Sequence, residues 1–286
     1  MGGLSDWEAR IWLASVVEPG DIRIGRALND FLPSEIISKP QLHSAGLRDF
    51  LSDRKLSDVV ATSKAVDADF LTPTHPQWPN GLDLLGELAP LGIWKRGKAP
   101  QPALTVSIVG ARSCSAYGES VALNIAAELN QLGLGVVSGG AFGIDAAAHR
   151  GAVLAEGKTV AVLAGGVDVP YPRANSNLFD RILETGWLVS ESPPGQIPLK
   201  HRFLIRNRLI AAWSLGTVVV EARIRSGAIA TASHANNLGL EVMAIPGPVT
   251  AAASTGCHQL IRDGATLVTN ASEIIHQLQP HKSLAK

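Results

Sequence analysis

Small and charged residues follow several short β-branched runs of this sequence, in combinations that could bind phosphate. In Gly110-Ala111-Arg112-Ser113, which precedes a helical stretch, the glycine would let the backbone approach an anion closely. N–H groups at the helix start would point at that anion, and Arg112 would add a forked cationic donor. A tight turn with a solvated arginine is the alternative, and the loop alone leaves the two interpretations about even.

A second loop, Ser138-Gly139-Gly140-Ala141-Phe142-Gly143-Ile144-Asp145, also precedes a helical stretch. It is not a dinucleotide fingerprint, because the G-x-G-x-x-G spacing would need glycine at position 138, and no acidic residue closes the following strand. NAD is therefore disfavoured. The loop still offers N–H groups for a phosphate or for close packing of helix on strand. Asp145 would simply stabilise the helix dipole.

A basic segment covers residues 198–210, and no acidic residue occurs between Ser192 and Val220. A local cluster of cations favours binding of a phosphate chain, because each neutralised phosphate releases counterions. An aromatic ring in the cluster could stack on a base. The candidate contacts are Lys200, Arg202, Phe203, Arg206, Asn207 and Arg208. The alternative is that Phe203 is core and that Arg206 or Arg208 pairs with Glu191 or Glu221, so at least one of these arginines is expected to be structural. The stiff loop 170–175 adds Tyr171, Arg173 and Asn175.

The sequence offers little for catalysis. It lacks a G-x-S-x-G elbow, H-E-x-x-H spacing and a P-loop. Glu191 and Glu221 end predicted strands, where a general base could stand, but no nucleophile pairs with them. We predict no catalytic residue, no metal and no cofactor.

Short β-branched runs alternate with helical stretches from Leu104 onward, which is typical of βαβ units. The predicted strands are 105–109, 135–137, 159–163, 187–189, 217–220, 242–245 and 265–268, with a crossover helix over 117–131. The predicted fold class is α/β, a Rossmann-like doubly wound, mostly parallel sheet with a small N-terminal helical domain. The candidate loops should gather at the carboxyl edge of that sheet.

The predicted domains are residues 1–70, helical and SAM- or helix-hairpin-helix-like; 71–103, a Pro-rich lead-in; and 104–286, the Rossmann-like core. Trp7, Ile11, Trp12 and Val16 recur at helical spacing. Residues 20–24 could open a phosphate-gripping helix-hairpin-helix turn, although a plain packing helix is favoured. The prolines of 71–79 preclude regular helix or a central strand.

Composition limits the class of protein. Basic and acidic residues both number 25, so any argument for a nucleic-acid partner must be local. Two distant cysteines, Cys114 and Cys257, suggest a reducing cytosol rather than a disulfide scaffold or a zinc site. The start carries no secretory or myristoylation pattern, and no apolar run could span a membrane, so we expect a cytoplasmic protein.

Taken in order, these motifs resemble the DNA-processing DprA/Smf family over nearly the whole chain. The matching blocks are 108–112 with 117–118, 138–149, 165–175, 202–210, 220–232, 245–247 and 256–265, preceded by the lead-in blocks 75–79 and 91–97. Seven blocks in family order are a strong signal.

The resemblance implies a non-catalytic protein that binds single-stranded DNA in a basic pocket. It also implies a homodimer formed through the C-terminal part of the core and RecA loading in natural transformation during competence. Family DNA contacts map onto Gly110-Ala111-Arg112-Ser113, onto Arg173 with Asn175, and onto 200–208. Two departures stand out: Phe142 occupies a position where the family often has Arg, and the chain leaves no room for the winged-helix domain of many relatives.

The leading hypothesis is a recombination mediator that protects incoming single-stranded DNA and loads RecA. An alternative is a nucleotide-processing phosphoribohydrolase of the lysine-decarboxylase-like type. Its P-G-G-x-G-T-x-x-E motif has only partial counterparts at Ala164-Gly165-Gly166 and at Glu221. A small-ligand binding module is the third hypothesis. The full predicted contact set is Gly110, Ala111, Arg112, Ser113, Gly139, Gly140, Phe142, Gly143, Tyr171, Arg173, Asn175, Lys200, Arg202, Phe203, Arg206, Asn207 and Arg208.

Overall fold

The computed structural model describes residues 3–38, 54–97, 99–100 and 102–282. Residues 1–2 and 39–53 of the predicted helical segment, residues 98 and 101 of the lead-in and residues 283–286 of the predicted core segment lie outside the described residues. The chain forms two compact units. Unit 1 is Met1–Arg96, Leu163–Pro170 and Val189–Arg206, and unit 2 is Gly97–Val162, Tyr171–Leu188 and Asn207–Lys286. The predicted division at residues 70 and 103 stays a prediction.

Unit 1 begins with helices, as the apolar spacing of its sequence predicts. The described helices are α1 (Asp6–Val16), α2 (Ile22–Asp30), α3 (Pro33–Ser38) and α4 (Leu56–Ala65). A capping box starts α1: the Ser5 hydroxyl accepts from Glu8 N, and the Glu8 carboxylate accepts from Ser5 N at 2.9 Å. This reciprocal arrangement satisfies two amides that a helix start otherwise leaves without partners.

Two short strands that the sequence did not predict complete unit 1. β1 (Asp69–Leu71) pairs antiparallel with β2 (Ile93–Arg96), so that Phe70 lies opposite Trp94. A 3-10 helix, Asn80–Leu88, lies between them in sequence, after the Pro-rich stretch. The core of this unit includes Ile11, Phe70, Trp94 and Val167, and the Trp94 indole satisfies its buried N–H by donating to Ser63 Oγ at 3.0 Å.

Unit 2 is built on a parallel sheet. Its strands are β3 (Thr105–Gly110), β4 (Gly135–Ser138), β5 (Thr159–Leu163), β6 (Trp187–Ser190), β7 (Gly216–Val220), β8 (Glu241–Ala244) and β9 (Thr266–Leu267), of which β5 and β6 each contribute only part of their length to this unit. The order is β6-β5-β4-β3-β7-β8-β9, and the pairs β5–β4, β4–β3, β3–β7, β7–β8 and β8–β9 are parallel. All seven predicted strands are present, and the predicted α/β class with N-terminal helices is confirmed.

Helices alternate with these strands. They are α5 (Ala116–Gln131), α6 (Ile144–Leu154), α7 (Ser176–Thr185), α8 (Lys200–Ala212), α9 (Gly227–Asn237), α10 (Thr255–Arg262) and α11 (Ala271–Lys282). The predicted crossover helix over 117–131 is α5. Its apolar stripe, with Ile125 and Leu129, packs with α6 onto the buried strand residues Ile108 and Val136.

The sheet reverses its winding direction between β3 and β7. From β3 the chain adds β4, β5 and β6 on one side, and from β7 it adds β8 and β9 on the other. In open parallel sheets, ligands bind beyond the carboxyl ends of the strands at such a switch point. The loops that follow β3 and β7 are therefore the first place to examine for function.

Candidate nucleic-acid interface

The loops after β3 and β4 are joined backbone to backbone. Ile144 N, at the start of α6, donates to Ala111 O at 3.2 Å. Gly143 makes this approach possible: its φ is +74°, and a Cβ there would lie 2.2 Å from Ala111 O. Only glycine tolerates both the positive φ and this close approach. Gly143 therefore holds its neighbour Phe142 beside the loop that carries Arg112.

Asn175 attaches a third loop to this pair. Its side chain is 9% exposed, and its Nδ2 donates to Gly140 O at 3.0 Å. The turn Arg173–Asn175 is thereby tied to the loop after β4. The described contacts of Asn175 thus position neighbouring loops, whereas its predicted contact with DNA stays a prediction.

Exposed aromatic and cationic side chains lie on these three loops. We call the set Arg112, Ser113, Phe142, Tyr171 and Arg173 the rim surface. All five are exposed, with 47% of Phe142 and 49% of Tyr171 accessible. Arginines can hold phosphates, and exposed rings can stack on unpaired bases. The rim surface therefore has the chemistry that a single strand requires.

The glycines predicted in the site form its framework. A Cβ on Gly110 would lie 1.9 Å from Val220 O, so β3 and β7 could not approach as they do with any other residue there. Gly139 and Gly140 are buried, and Ala111 N donates to Glu221 O at 2.7 Å. These positions hold the loops in place for the exposed side chains.

Helix α8 contributes its residues from Asn207 onward to unit 2, and the predicted contacts among them are buried. Asn207 Nδ2 donates to Gly227 O at 3.2 Å, at the start of α9. Arg208 is only 2% exposed. Burial, followed by the nearby charge of Arg208, lowers the pKa of His234. The burial of Arg208 supports the expectation that at least one arginine of the basic segment is structural.

The first half of α8 belongs to unit 1, where the cations have different environments. Lys200 is exposed and Phe203 is half-buried, while Arg206 is 6% exposed. Arg202 Nε and Nη2 bind the Glu18 carboxylate at 2.7 and 2.8 Å, and His201 Nε2 lies 2.7 Å from the same group. Partial burial opposes ionisation of Glu18, but these hydrogen bonds outweigh it and lower the pKa of that carboxyl. The acid-free stretch of sequence does not reveal this partner, which follows α1 in the chain.

The two acids that could have served as general bases are engaged in backbone contacts. Glu221, which has a φ of +51°, accepts from Ser115 N at 2.8 Å and from the Ser115 hydroxyl, so it caps the start of α5. In unit 1, Glu191 accepts from Gly20 N at 3.3 Å. Both carboxylates thus have structural partners.

Neither cysteine is activated as a nucleophile. Burial, with Glu119 and Glu221 nearby, raises the pKa of the Cys114 thiol, and burial raises the pKa of Cys257 to about 11. A thiol held protonated in this way is a poor nucleophile. Across residues 3–38, 54–97, 99–100 and 102–282, no three His, Cys, Asp or Glu side chains are arranged to hold a metal. None of the helices in those ranges is long and apolar enough to cross a membrane.

Two further cations, absent from the predicted contact set, lie at the same edge. Arg223 and Arg225 follow β7, and both are exposed. The rule that selected Arg112, a cation just beyond the carboxyl end of a strand, would have selected them too. The predicted contact set contains neither arginine, although Glu221 of the same loop is a predicted strand-end acid and the loop lies in the family block 220–232.

Comparison with known proteins identifies the family. A DprA from Mycobacterium tuberculosis is 53% identical over 190 residues, which cover 65% of this chain, and this chain spans about half (49%) of that relative's length. The X-ray structure of DNA processing protein A (DprA) from Streptococcus pneumoniae is similar with a TM-score of 0.80 and 29% identity, covering 96% of this chain and 98% of that one. A structure concerned with the single-stranded DNA binding mode of DNA processing protein A from Helicobacter pylori is similar with a TM-score of 0.66 and 27% identity, covering 75% of this chain and 96% of that one. Since the family model for DNA recombination-mediator protein A matches residues 69–279, this chain belongs to that family, the DprA/Smf proteins.

Proposed function

We propose that this protein is a non-catalytic recombination mediator that binds single-stranded DNA through the rim surface. The observation that carries the proposal is the joining of three loops by Gly143 and Asn175, which groups Arg112 and Arg173 with Phe142 and Tyr171. Cations without aromatic neighbours would bind any polyanion, whatever the state of its bases. Exposed rings beside them favour a strand whose bases are unpaired.

The comparisons support the same ligand and role. The family is described as a recombination mediator, and the Helicobacter pylori relative has a structure concerned with single-stranded DNA binding. Two observations support a role without catalysis. The carboxylates of Glu191 and Glu221 accept hydrogen bonds from the backbone. The raised pKa values of Cys114 and Cys257 keep both thiols protonated. We extend the proposal to protection of incoming DNA and RecA loading in natural transformation, by a cytoplasmic homodimer.

Anisotropy of a labelled oligo(dT) tests the ligand. Wild-type protein should bind at low salt, and Arg112→Ala/Arg173→Ala should weaken binding by roughly a hundredfold, since each lost contact to a charged group costs about 1.5 kcal/mol. Lys158→Ala is the control, because Lys158 precedes β5 and so lies at the amino edge of the sheet. Absence of wild-type binding, or equal binding by the double variant and the control, would contradict the proposal.

Three further measurements test the role and the oligomeric state. Incubation with AMP should release no adenine, whereas release would favour a phosphoribohydrolase. Wild-type protein should speed RecA assembly on DNA coated with a single-strand binding protein, and the double variant should not. Light scattering of the purified chain should give the mass of a dimer, while a monomer would contradict that part of the proposal.

A further inference from the structure

We infer that the loop after β7 forms a second phosphate-binding arm of the interface, with Arg223 and Arg225 as its contacts. The inference rests on the proposed function, because it extends the path of the same single strand. The arm lies across the switch point of the sheet from Arg112.

The position of this loop is fixed on both sides. Its first residues are tied to the β3 loop, because Ala111 N donates to Glu221 O at 2.7 Å. They are tied to α10 as well, because Gly256 N donates to Ala222 O at 2.7 Å, and a Cβ on Gly256 would lie 2.9 Å from the backbone of Arg223. Loop and rim surface therefore belong to one rigid edge of unit 2.

The charges of this loop are available to a ligand. Arg223 and Arg225 are exposed, and neither forms an ion pair or a side-chain hydrogen bond with any residue that the structure describes. Two acids, one at the end of β7 and one on α5, have other partners: Glu221 binds Ser115, and Glu119 pairs with Arg150 at 2.5 Å. Uncompensated arginines beside a switch point favour an anionic ligand.

The surroundings of the arginines fit a nucleotide strand. Ile224, between them, is 55% exposed and offers an apolar contact to a sugar or base. The helix α9 begins at Gly227, so its N-terminal amides add positive potential beside Arg225. The loops after β4, β3 and β7 follow three adjacent strands of unit 2, which at about 4.8 Å per strand span roughly 10 Å. A strand of several nucleotides can contact both ends of this edge.

Affinity and salt dependence of the full chain for oligo(dT) test this arm. Arg223→Ala/Arg225→Ala should weaken binding by at least about tenfold. Its plot of log K against log salt should be less steep by about 1.4, since each phosphate contact to a single strand contributes about 0.7. Arg223→Lys/Arg225→Lys retains the charges and should retain most of the slope. Because both side chains are exposed, the thermal unfolding of either variant should match that of the wild type.

The outcomes separate this inference from the proposed function. If wild-type protein binds and Arg223→Ala/Arg225→Ala keeps the affinity and slope of Lys158→Ala, the second arm is absent and the proposed function stands. If wild-type protein does not bind single-stranded DNA, both fail. A lower slope in the alanine variant that the lysine variant restores supports the arm.

Discussion

Arg202 illustrates how folding decides what a cation does. In the sequence it belongs to a basic segment without acids, yet in unit 1 the Glu18 carboxylate binds it through two hydrogen bonds and also contacts His201. Its charge is therefore compensated, unlike that of Arg173, which is exposed and forms no ion pair within the described part of the chain. A cation such as Arg173 can bind a phosphate without first breaking an ion pair, whereas Arg202 cannot.

Glu18 should make the stability of the protein depend on pH. Its pKa is lower in the folded chain, so its contribution is present above the unfolded pKa and is lost as pH falls through the folded pKa. We expect Glu18→Gln to lower the free energy of unfolding in urea near neutral pH. The difference from wild type should shrink as the pH falls below the usual carboxyl pKa and through the lower pKa of Glu18 in the folded chain.

Glu184→Gln is the matched control, because Glu184 is exposed on α7. It should change the free energy of unfolding little at either pH. A cost of Glu18→Gln that stays constant as the solution is acidified would show that the Glu18 charge is not what stabilises unit 1.

At the scale of elements, Gly143 joins α6 to the β3 loop. An added Cβ would meet the Ala111 carbonyl at 2.2 Å in a conformation with φ of +74°. Gly143→Ala should therefore cost about 1–3 kcal/mol of unfolding free energy, from backbone strain and the displaced loop. Gly227→Ala is the control, since a Cβ there meets only Asn207 Nδ2 at 3.8 Å. Equal stability of the two variants in chemical denaturation would contradict the role of Gly143.

Asn175 offers an independent test of the same loop arrangement. Asn175→Ala removes the donor to Gly140 O and leaves a buried carbonyl without that partner, at a cost of about 1–3 kcal/mol. It should also weaken oligo(dT) binding, because the turn that carries Arg173 is released. Asn177→Ala, at an exposed position on α7, should alter neither quantity. Unchanged thermal unfolding and anisotropy in Asn175→Ala would show that the three loops are held together in some other way.

The elements themselves were largely predictable from sequence, and their connections were not. Periodicity predicts α1, α5 and the seven strands of the sheet, because burial of one face imposes a repeat on the residues. β1 and β2 were missed: each is three or four residues long, too short for a repeat to be recognised. The bond from Asn175 to Gly140 was missed because it joins residues 35 apart through one side chain. Arg223 was overlooked although the rule for strand ends applied to it.

At the scale of the whole molecule, net charge gives no attraction for nucleic acid. The chain carries 25 basic and 25 acidic residues, so its overall field does not steer a polyanion toward it. Affinity must come from local cations, which contact single-stranded and double-stranded phosphates alike. Preference for a single strand must come from groups that need unpaired bases, and Phe142 and Tyr171 are the exposed rings of the rim surface.

This separation of roles predicts how two pairs of substitutions will differ. Phe142→Ala/Tyr171→Ala should remove most of the preference for single-stranded over double-stranded oligonucleotides, since stacking is worth about 1–3 kcal/mol per base. Its salt dependence should stay that of the wild type, because the rings carry no charge. Arg112→Ala/Arg173→Ala should instead weaken binding of both forms and reduce the salt dependence. Competition anisotropy at two salt concentrations measures the affinity for each form of DNA and the salt dependence of each affinity. If Phe142→Ala/Tyr171→Ala keeps the preference for single-stranded over double-stranded DNA, these two rings are not its source.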